Sequence, residues 1–497
     1  MKMSTNPIKR LAGETAIYGL GTMVPRFLNY LLVPFYTILV FNQAEYGQIT
    51  VLYSWVALLL VLLTYGMETA YFRYVSKSDN PQEVFNTTTT SILLTSLLFI
   101  VSIIVFVKPI AHVIDYPANK EYIILIGLII ALDALAAIPF AQLRYQNKAR
   151  KFATIRILSV LITIALNLLF LYVIPNLAGK NISTLPFYQS TNLVAFVFIA
   201  NMLGSLVTLL LLLPEIKDYK PRINKGLLKQ LLVYGLPVLV ISLTSMINEV
   251  ADKIMLKYLL PDPTAADAQL GIYSASYKLA IIMMLFIQMF RYAAEPFFFA
   301  ESGKKDAKRN YSKVLTYFVL FCWLIFLGVL LFLDLFKYFI GPAFWAGLAI
   351  VPIILAAKLF LGVFYNLSVW YKLTNNTLYG ALIAVAGSLI TIALNLILIP
   401  KYGYMGAAWA NFACYFFIMM VSFIWGRRVY KINYEYLKLI LYSVLAVILY
   451  TISLQTTEWE FLSRIIFNTL LLSSFVFTAY IFEVRNNKKH NKPTHVR

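Results

Sequence analysis

Three charges fall within one turn and a half of helix in Leu231–Leu260 (LLVYGLPVLVISLTSMINEVADKIMLKYLL): Glu249, Asp252 and Lys253. The stretch is long and apolar enough to cross a bilayer, which takes roughly 20 residues. A charge at membrane depth costs at least ~2.5 kcal/mol, so a helix that only anchors the chain has no use for three. Glu249 precedes Lys253 by one turn, the favourable order for an acid and a base on one helical face. Ser242, Ser245, Glu249 and Asp252 follow one another at helical spacing and form a polar stripe that faces protein or water. Two kinds of chemistry fit: a structural ion pair inside a bundle, or the wall of a hydrophilic cavity. Other deep charges pose the same choice. Arg26 shares a face with Thr22, Asn29 and Tyr30 in a run that also holds Pro25 and Pro34. Asp133 lies in IIALDALAAIPF and Lys358 in PIILAAKLFLGVF. Lys278, Arg291 and Glu295 lie in GIYSASYKLAIIMMLFIQMFRYAAEPFFF, the last two spaced to pair with each other. Glu68 and Arg73 read as loop charges at the end of their run.

The elements that carry these residues are membrane helices. The 497 residues are 61% hydrophobic and 13% charged, with a mean hydropathy of +0.76, whereas soluble chains are roughly 45–50% apolar and about 25% charged. Apolar runs of spanning length number about 14, the first at 14–40 and the last at 463–483. Strands of alternating polarity do not occur, which excludes a barrel. The first run is too long for a cleavable signal and has no small-residue cleavage site. Cys322 and Cys414 fall inside spans and imply core packing rather than a disulfide framework.

The net charge of +20 does not point to nucleic acid. Lys and Arg cluster in alternate loops: Arg144–Arg156, Lys217–Lys229, Lys304–Lys313, Arg427–Lys438 and the tail from Arg485. This is the positive-inside pattern, and it places both termini and the basic loops in the cytoplasm against anionic membrane lipids. A disordered tail is expected from Asn486. The Asn-Ile-Ser triplet at Asn181 matches a glycosylation acceptor but is common by chance.

The chain repeats itself. Ile17-Tyr-Gly-Leu20 opens the first span and Val233-Tyr-Gly-Leu236 the seventh. Gly47, Thr50 and Ser54 align without a gap on Gly271, Ser274 and Lys278, 224 positions later. The octapeptide LITIALNL occurs at Leu161–Leu168 and again at Leu389–Leu396, 228 positions later. Six spans separate the copies, so the repeats are parallel, the arrangement of transporters that rock two lobes about a midplane site. The expected fold is all-α and polytopic, with two pseudo-symmetric six-helix lobes around a central cavity, plus two C-terminal helices. The lobes are 1–213 and 231–430, joined by a basic linker, 214–230; the last two helices fill 431–484 and a basic tail 485–497. Asp133 and Lys358 fall at nearly equivalent depths of the two lobes.

Several motifs then resemble a known family. They are Asp252-Lys253-Ile-Met, the run Gly271-Ile-Tyr-Ser-Ala-Ser, and the link Asn395-Leu-Ile-Leu-Ile-Pro400-Lys-Tyr-Gly403-Tyr-Met-Gly406-Ala-Ala-Trp-Ala410. With the repeat and the span count, the chain resembles the oligosaccharide-lipid flippases (polysaccharide repeat-unit, O-antigen or capsule type) of the multidrug/oligosaccharidyl-lipid/polysaccharide exporter superfamily. The link in the first half departs, being longer and lacking the Gly-Ala-Ala run. The resemblance implies a polyprenyl-diphosphate-linked oligosaccharide substrate, turned from the cytoplasmic to the outer leaflet of a bacterial inner membrane during lipopolysaccharide or related polysaccharide synthesis. It implies Arg26, Lys253, Lys278, Arg291 and Lys358 as candidate diphosphate ligands, and Asp133, Glu249 and Asp252 as candidate coupling or cavity acids. The coupling species would be H+ or Na+, with no cofactor and no metal. Partner proteins would be a polysaccharide polymerase and a chain-length determinant. The lipid II flippases are the nearest alternative: Arg26 and Lys278 match their pattern, whereas Leu32 and Val56–Leu63 are apolar where that branch carries cations. Cation-coupled multidrug exporters of the same superfamily favour acidic cavities, and the deep charges here lean basic.

A glycosyltransferase or polymerase would need an extramembrane segment for its chemistry. No loop exceeds about 25 residues, long though that is beside the usual 2–8, and no phosphate loop, metal cluster or nucleophile elbow occurs. His112, His490 and His495 are isolated. The expected protein is a transporter and not an enzyme. If Asp133 and Lys358 compensate each other, Asp133→Asn or Lys358→Met alone should impair transport more than both together. Additive losses in a transport assay would refute that coupling.

Overall fold

The computed structural model describes the backbone of residues 7–179, 193–374 and 376–490, and side chains from residue 17 to 483 within those ranges. Asn181 and the tail beyond 490 lie outside the described residues. The long helices are α1 Pro7–Tyr30, α2 Gln43–Thr64, α3 Met67–Val75, α4 Pro81–Val105, α5 Lys120–Tyr145, α6 Ala149–Leu168, α7 Leu193–Leu212, α8 Lys225–Leu259, α9 Pro263–Leu279, α10 Ile281–Glu301, α11 Ala307–Leu331, α12 Val351–Leu367, α13 Thr377–Val429, α14 Tyr436–Leu454 and α15 Phe461–His490. Short helical turns extend several of them. Among the described residues there is no strand, and 13 helical stretches are long and apolar enough to cross a membrane. The protein is an all-α, multi-pass membrane protein.

The difference from about 14 expected spans lies in α13. Its 53 residues would reach roughly 80 Å if straight, far beyond a hydrocarbon core of roughly 30 Å. Instead Gly403 takes φ 56°, ψ −136°, and the chain doubles back there. The Cys414 thiol donates to the Gly387 carbonyl at 3.3 Å, a contact that only antiparallel arms can make. Gln269 of α9 supports the reversal by accepting from the Tyr404 amide at 3.2 Å. A Cβ on Gly403 would run into the same Gln269 side chain.

The other breaks are also backed by neighbours. The second span is split at Tyr65 and Gly66, both left-handed, between α2 and α3. The eighth span, expected as one helix, is divided at Ala280 into α9 and α10. Asparagines cap three entries: Asn42 exchanges bonds with Glu45 (2.9 and 3.0 Å), Asn80 accepts from the Glu83 amide, and Asn224 from the Leu227 amide. Each such cap contributes about 1 kcal/mol. Helix α15 runs on to His490, past Asn486, where a disordered tail was expected.

Two compact units emerge, one of Met1–Ser274 with Thr391–Ala407, the other of Ala275–Ile390 with Ala408–Arg497. In the first, α3, α4, α5 and α8 share a core of Met67, Tyr71, Val84, Phe85, Ile138 and Leu231. In the second, α12 and both arms of α13 close on Leu361, Phe364, Trp370, Ile383 and Ile418, with Cys414 among them. Cys322 is likewise a buried free thiol, as expected of core packing. Helices α14 and α15 present Leu437, Ile440, Leu462, Leu470 and Phe477 outward, apolar faces suited to lipid.

Alanine at Gly403 would hold a side chain at positive φ, a strain of about 1–3 kcal/mol, besides displacing Gln269. Gly403→Ala should therefore lower the thermal unfolding midpoint of the purified protein by several degrees. An unchanged midpoint would mean that the reversal tolerates a side chain.

Candidate functional site

Inside the first unit six helices surround a polar cavity of about 450 Å³. Each wall is a stripe at helical spacing. Helix α5 supplies Asp133, Ala136, Ala137, Phe140 and Arg144, and the two alanines leave the space that the charged residues line. Helix α6 supplies Phe152, Arg156, Ser159 and Thr163, and α7 supplies Asn201, Ser205 and Thr208. Thr22 and Asn29 come from α1, Leu60, Val61 and Thr64 from α2, and Glu68 from the first turn of α3.

The charges are compensated in pairs. Arg144 and Glu68 form an ion pair. Asp133 hydrogen-bonds with Ser205 and is attracted by Arg156. The Arg156 guanidinium lies 3.9 Å from the centre of the Phe140 ring, and that of Arg144 lies 4.9 Å from the centre of Phe72. Arg26, itself exposed, is near enough to repel Arg156. Hydroxyls on the wall hold one another: Ser159 and Thr208 are 2.5 Å apart, and Thr208 donates to the Gly204 carbonyl at 2.8 Å. Asn201 donates to the Tyr53 hydroxyl at 2.5 Å. Cations, carboxylates, hydroxyls, two amides and two aromatic rings can together bind a polar or anionic group away from lipid.

Of the residues singled out from sequence, Asp133 lines this cavity and Arg26 lies near it. Asp252 is 1% exposed. One of its oxygens accepts from the Tyr273 hydroxyl at 2.6 Å, the other from the Lys253 amide at 2.8 Å and its ammonium at 3.3 Å. The Lys253 ammonium also donates to the Glu249 carbonyl at 2.8 Å. These three residues thus form a cluster that ties α8 to α9.

Lys278, Arg291 and Lys358 belong to the second unit. Lys358 is fully buried, its ammonium 3.5 Å from the Tyr415 hydroxyl and 5.0 Å from the centre of the Tyr277 ring. Arg291 lies 4.0 Å from the centre of the Tyr365 ring and 3.9 Å from Glu295, whose nearer partner is Lys372 at 2.6 Å.

The cavity also holds three residues that sequence reasoning set aside. Glu68, Arg144 and Arg156 were read as cytoplasmic loop charges. The turn between α5 and α6 is tighter than its basic residues suggest, and Arg156 stands two turns inside α6. The signal was available in the α6 spacing Phe152, Arg156, Ser159, Thr163 and in the repeat. Thr163 and Asn167 recur as Thr391 and Asn395, but Arg156 and Ser159 are replaced by Ala384 and Gly387. The sister helix folds without them.

Solved structures share this fold. A lipid II flippase, MurJ, in an inward closed conformation is 16% identical at a TM-score of 0.73, over 94% of this chain and 99% of that one. The MATE multidrug transporter DinF-BH, solved in complex with a ligand, is 17% identical at 0.60, over 87% of this chain and 98% of that one. An inward-facing multidrug resistance MATE family transporter of the MOP superfamily is 15% identical at 0.59, over 83% and 94%. At such identities the likeness is one of fold. None of the curated proteins compared with this chain matches it. The sequence pattern of one family, described as polysaccharide biosynthesis protein, matches residues 11–301, more than half the chain and the whole of its first repeat beyond Leu11. The chain is therefore a member of the polysaccharide biosynthesis protein family, with a multi-pass membrane fold like that of these solved transporters.

Proposed function

We propose that this protein moves polyprenyl-diphosphate-linked oligosaccharide repeat units from the cytoplasmic to the outer leaflet of a bacterial inner membrane, for surface polysaccharide synthesis of the O-antigen or capsule kind. The observation that carries the reading is the polar cavity of the first unit. It lies in the part of the chain that the family pattern covers, and its Arg156 and Ser159 have no counterpart in the sister helix. Arg156 opens onto the cavity rather than packing into the protein; an arginine inside a membrane helix is costly, and the fold does not require one there. A diphosphate or a sugar repays the cost, through charge-assisted hydrogen bonds to guanidinium and hydroxyl groups and through aromatic faces.

Arg26 and Lys278 are the remaining candidates for the diphosphate, one in each unit, and alternating access would follow from contacts made in one state and lost in the other. A coupling H+ or Na+ would act through an acid such as Asp133. The protein would work beside a polymerase and a chain-length determinant, with both termini in the cytoplasm. The likeness in fold to MurJ favours lipid II as the second reading.

The orientation can be checked in a cysteine-free background. Asn181→Cys should react with an impermeant reagent added outside intact cells and Lys305→Cys should not; the reverse result would overturn the topology.

Losing one charge-assisted phosphate contact costs roughly 1.5–3 kcal/mol, about ten- to a hundredfold. Arg26→Ala, Lys278→Ala and Arg156→Ala should each reduce surface glycan per transporter by that order, while Arg26→Lys should retain part of it. Membrane protein measured alongside separates transport from folding. Wild-type glycan per transporter in all three alanine variants would remove these residues from the site. Restoration of peptidoglycan precursor flow without surface glycan would move the assignment to lipid II.

A further inference from the structure

The repeat-equivalent helices α2 and α9 touch at equivalent residues. A Cβ on Gly47 would collide with the carbonyl of Asp267 and come 3.1 Å from the amide nitrogen of Gly271. A Cβ on Gly271 would collide with the carbonyl of Gln43 and come 3.2 Å from the amide nitrogen of Gly47. Gln43 and Asp267 are themselves 224 positions apart, as Gly47 and Gly271 are. The contact is self-complementary in the manner of a two-fold interface, so the pseudo-symmetry axis passes between the two glycines. Both lie at the end of the first unit opposite the basic loops.

Beside this contact is a buried ion cluster. Lys257 of α8, whose side chain is 2% exposed, places its ammonium 3.0 Å from Asp267 of α9 and 3.2 Å from Asp115 in the loop after α4. Tyr116 donates to Asp267 at 3.1 Å, and Gln48 of α2 donates to the other oxygen of Asp267 at 3.3 Å. Burial first, and then the neighbouring Asp267, pushes the Tyr116 phenol up from its ordinary pKa, which keeps it a donor. Gln48, Asp115 and Tyr116 belong to the first repeat, Lys257 and Asp267 to the second.

We propose that the glycine contact and the Lys257 cluster form a latch that holds this end shut in the present state and parts when the two repeats separate there. The glycines let backbones meet with no side chain between them, so closure is all-or-none. The ion cluster makes it reversible, because a buried pair roughly breaks even against the hydration it regains on opening. Removing Lys257 alone has the opposite effect: it leaves the buried Asp267 carboxylate uncompensated, with the half-exposed Asp115 beside it, which opening would relieve. The inference rests on the exporter reading for its purpose, but its geometry is independent of any substrate.

The test uses the full chain with Cys322→Ala, Cys414→Ala and a reporter, Ser274→Cys. Ser274 is 2% exposed and lies just beyond Gly271 on α9. An impermeant maleimide added from the side opposite the basic loops should label the parent slowly. Lys257→Met and Gly47→Ala should each label roughly tenfold faster, the shift expected when a closed state loses its bias. Combining Lys257→Asp with Asp267→Lys should restore slow labelling. Should Gly47→Ala fail to reach the membrane, Asp115→Asn replaces it, since that carboxylate is half exposed and its loss spares the packing. Parent-like rates in Lys257→Met and in the glycine or Asp115 variant, at normal protein levels, overturn the latch. Fast labelling in a chain that exports no glycan would leave the latch standing and sink the exporter reading instead.

Discussion

A backbone amide in hydrocarbon has no water to turn to, so every break in a spanning helix must find its hydrogen bonds or its steric support in a neighbour. That constraint orders this protein. The left-handed pair Tyr65 and Gly66 occurs where Gly235 of α8 closes against it, so tightly that a Cβ on Gly66 would strike the Gly235 carbonyl. The reversal at Gly403 occurs where Gln269 offers an acceptor. Side chains obey the same rule. Thr88, Thr208 and Thr244 each return a hydroxyl proton to the carbonyl one turn back. What is left over, the groups that point inward to one another across a space, defines the cavity.

Period and composition made the helices legible, because runs of Leu, Ile and Val of spanning length admit no other fold in a membrane. The duplication was legible from LITIALNL and from the alignment of Gly47 with Gly271, and the latter proved to be a physical contact. The cavity was only half legible. Asp133 stood out as an acid in an apolar run. Arg156 did not, because a cation near a basic turn looks the same whether it faces cytoplasm or the interior; only its position inside α6 distinguishes the two. Lys257 and Asp267 were hidden likewise. They flank Pro261-Asp-Pro263, and charges beside prolines read as a loop; in the structure the prolines are exposed, while Lys257 and Asp267 lie buried in the helices on either side.

The two halves have diverged unevenly. Where the first copy places Arg156 and Ser159 the second has Ala384 and Gly387, and the nearest pseudo-equivalents of opposite sign, Asp133 and Lys358, have acquired different neighbours. Asp133 hydrogen-bonds with Ser205 within reach of Arg156, whereas Lys358 is set among tyrosine rings. Helical packing in lipid draws on close contact and hydrogen bonds rather than on a hydrophobic drive between helices. The two copies can therefore place different polar residues inside, provided each keeps its own contacts.

Asp267 shows what a single continuous chain gains over a pair of identical subunits. In a homodimer a residue beside the two-fold axis confronts its own image, so an acid there would meet a second acid and repel it. Fusion of the repeats removed that identity. The counterpart of Asp267 is Gln43, an uncharged residue, and the one carboxylate so created is neutralised by a lysine that need not be duplicated. Charge asymmetry on a symmetry axis is available only to a protein whose halves are free to mutate separately, and here it falls where the two halves press together.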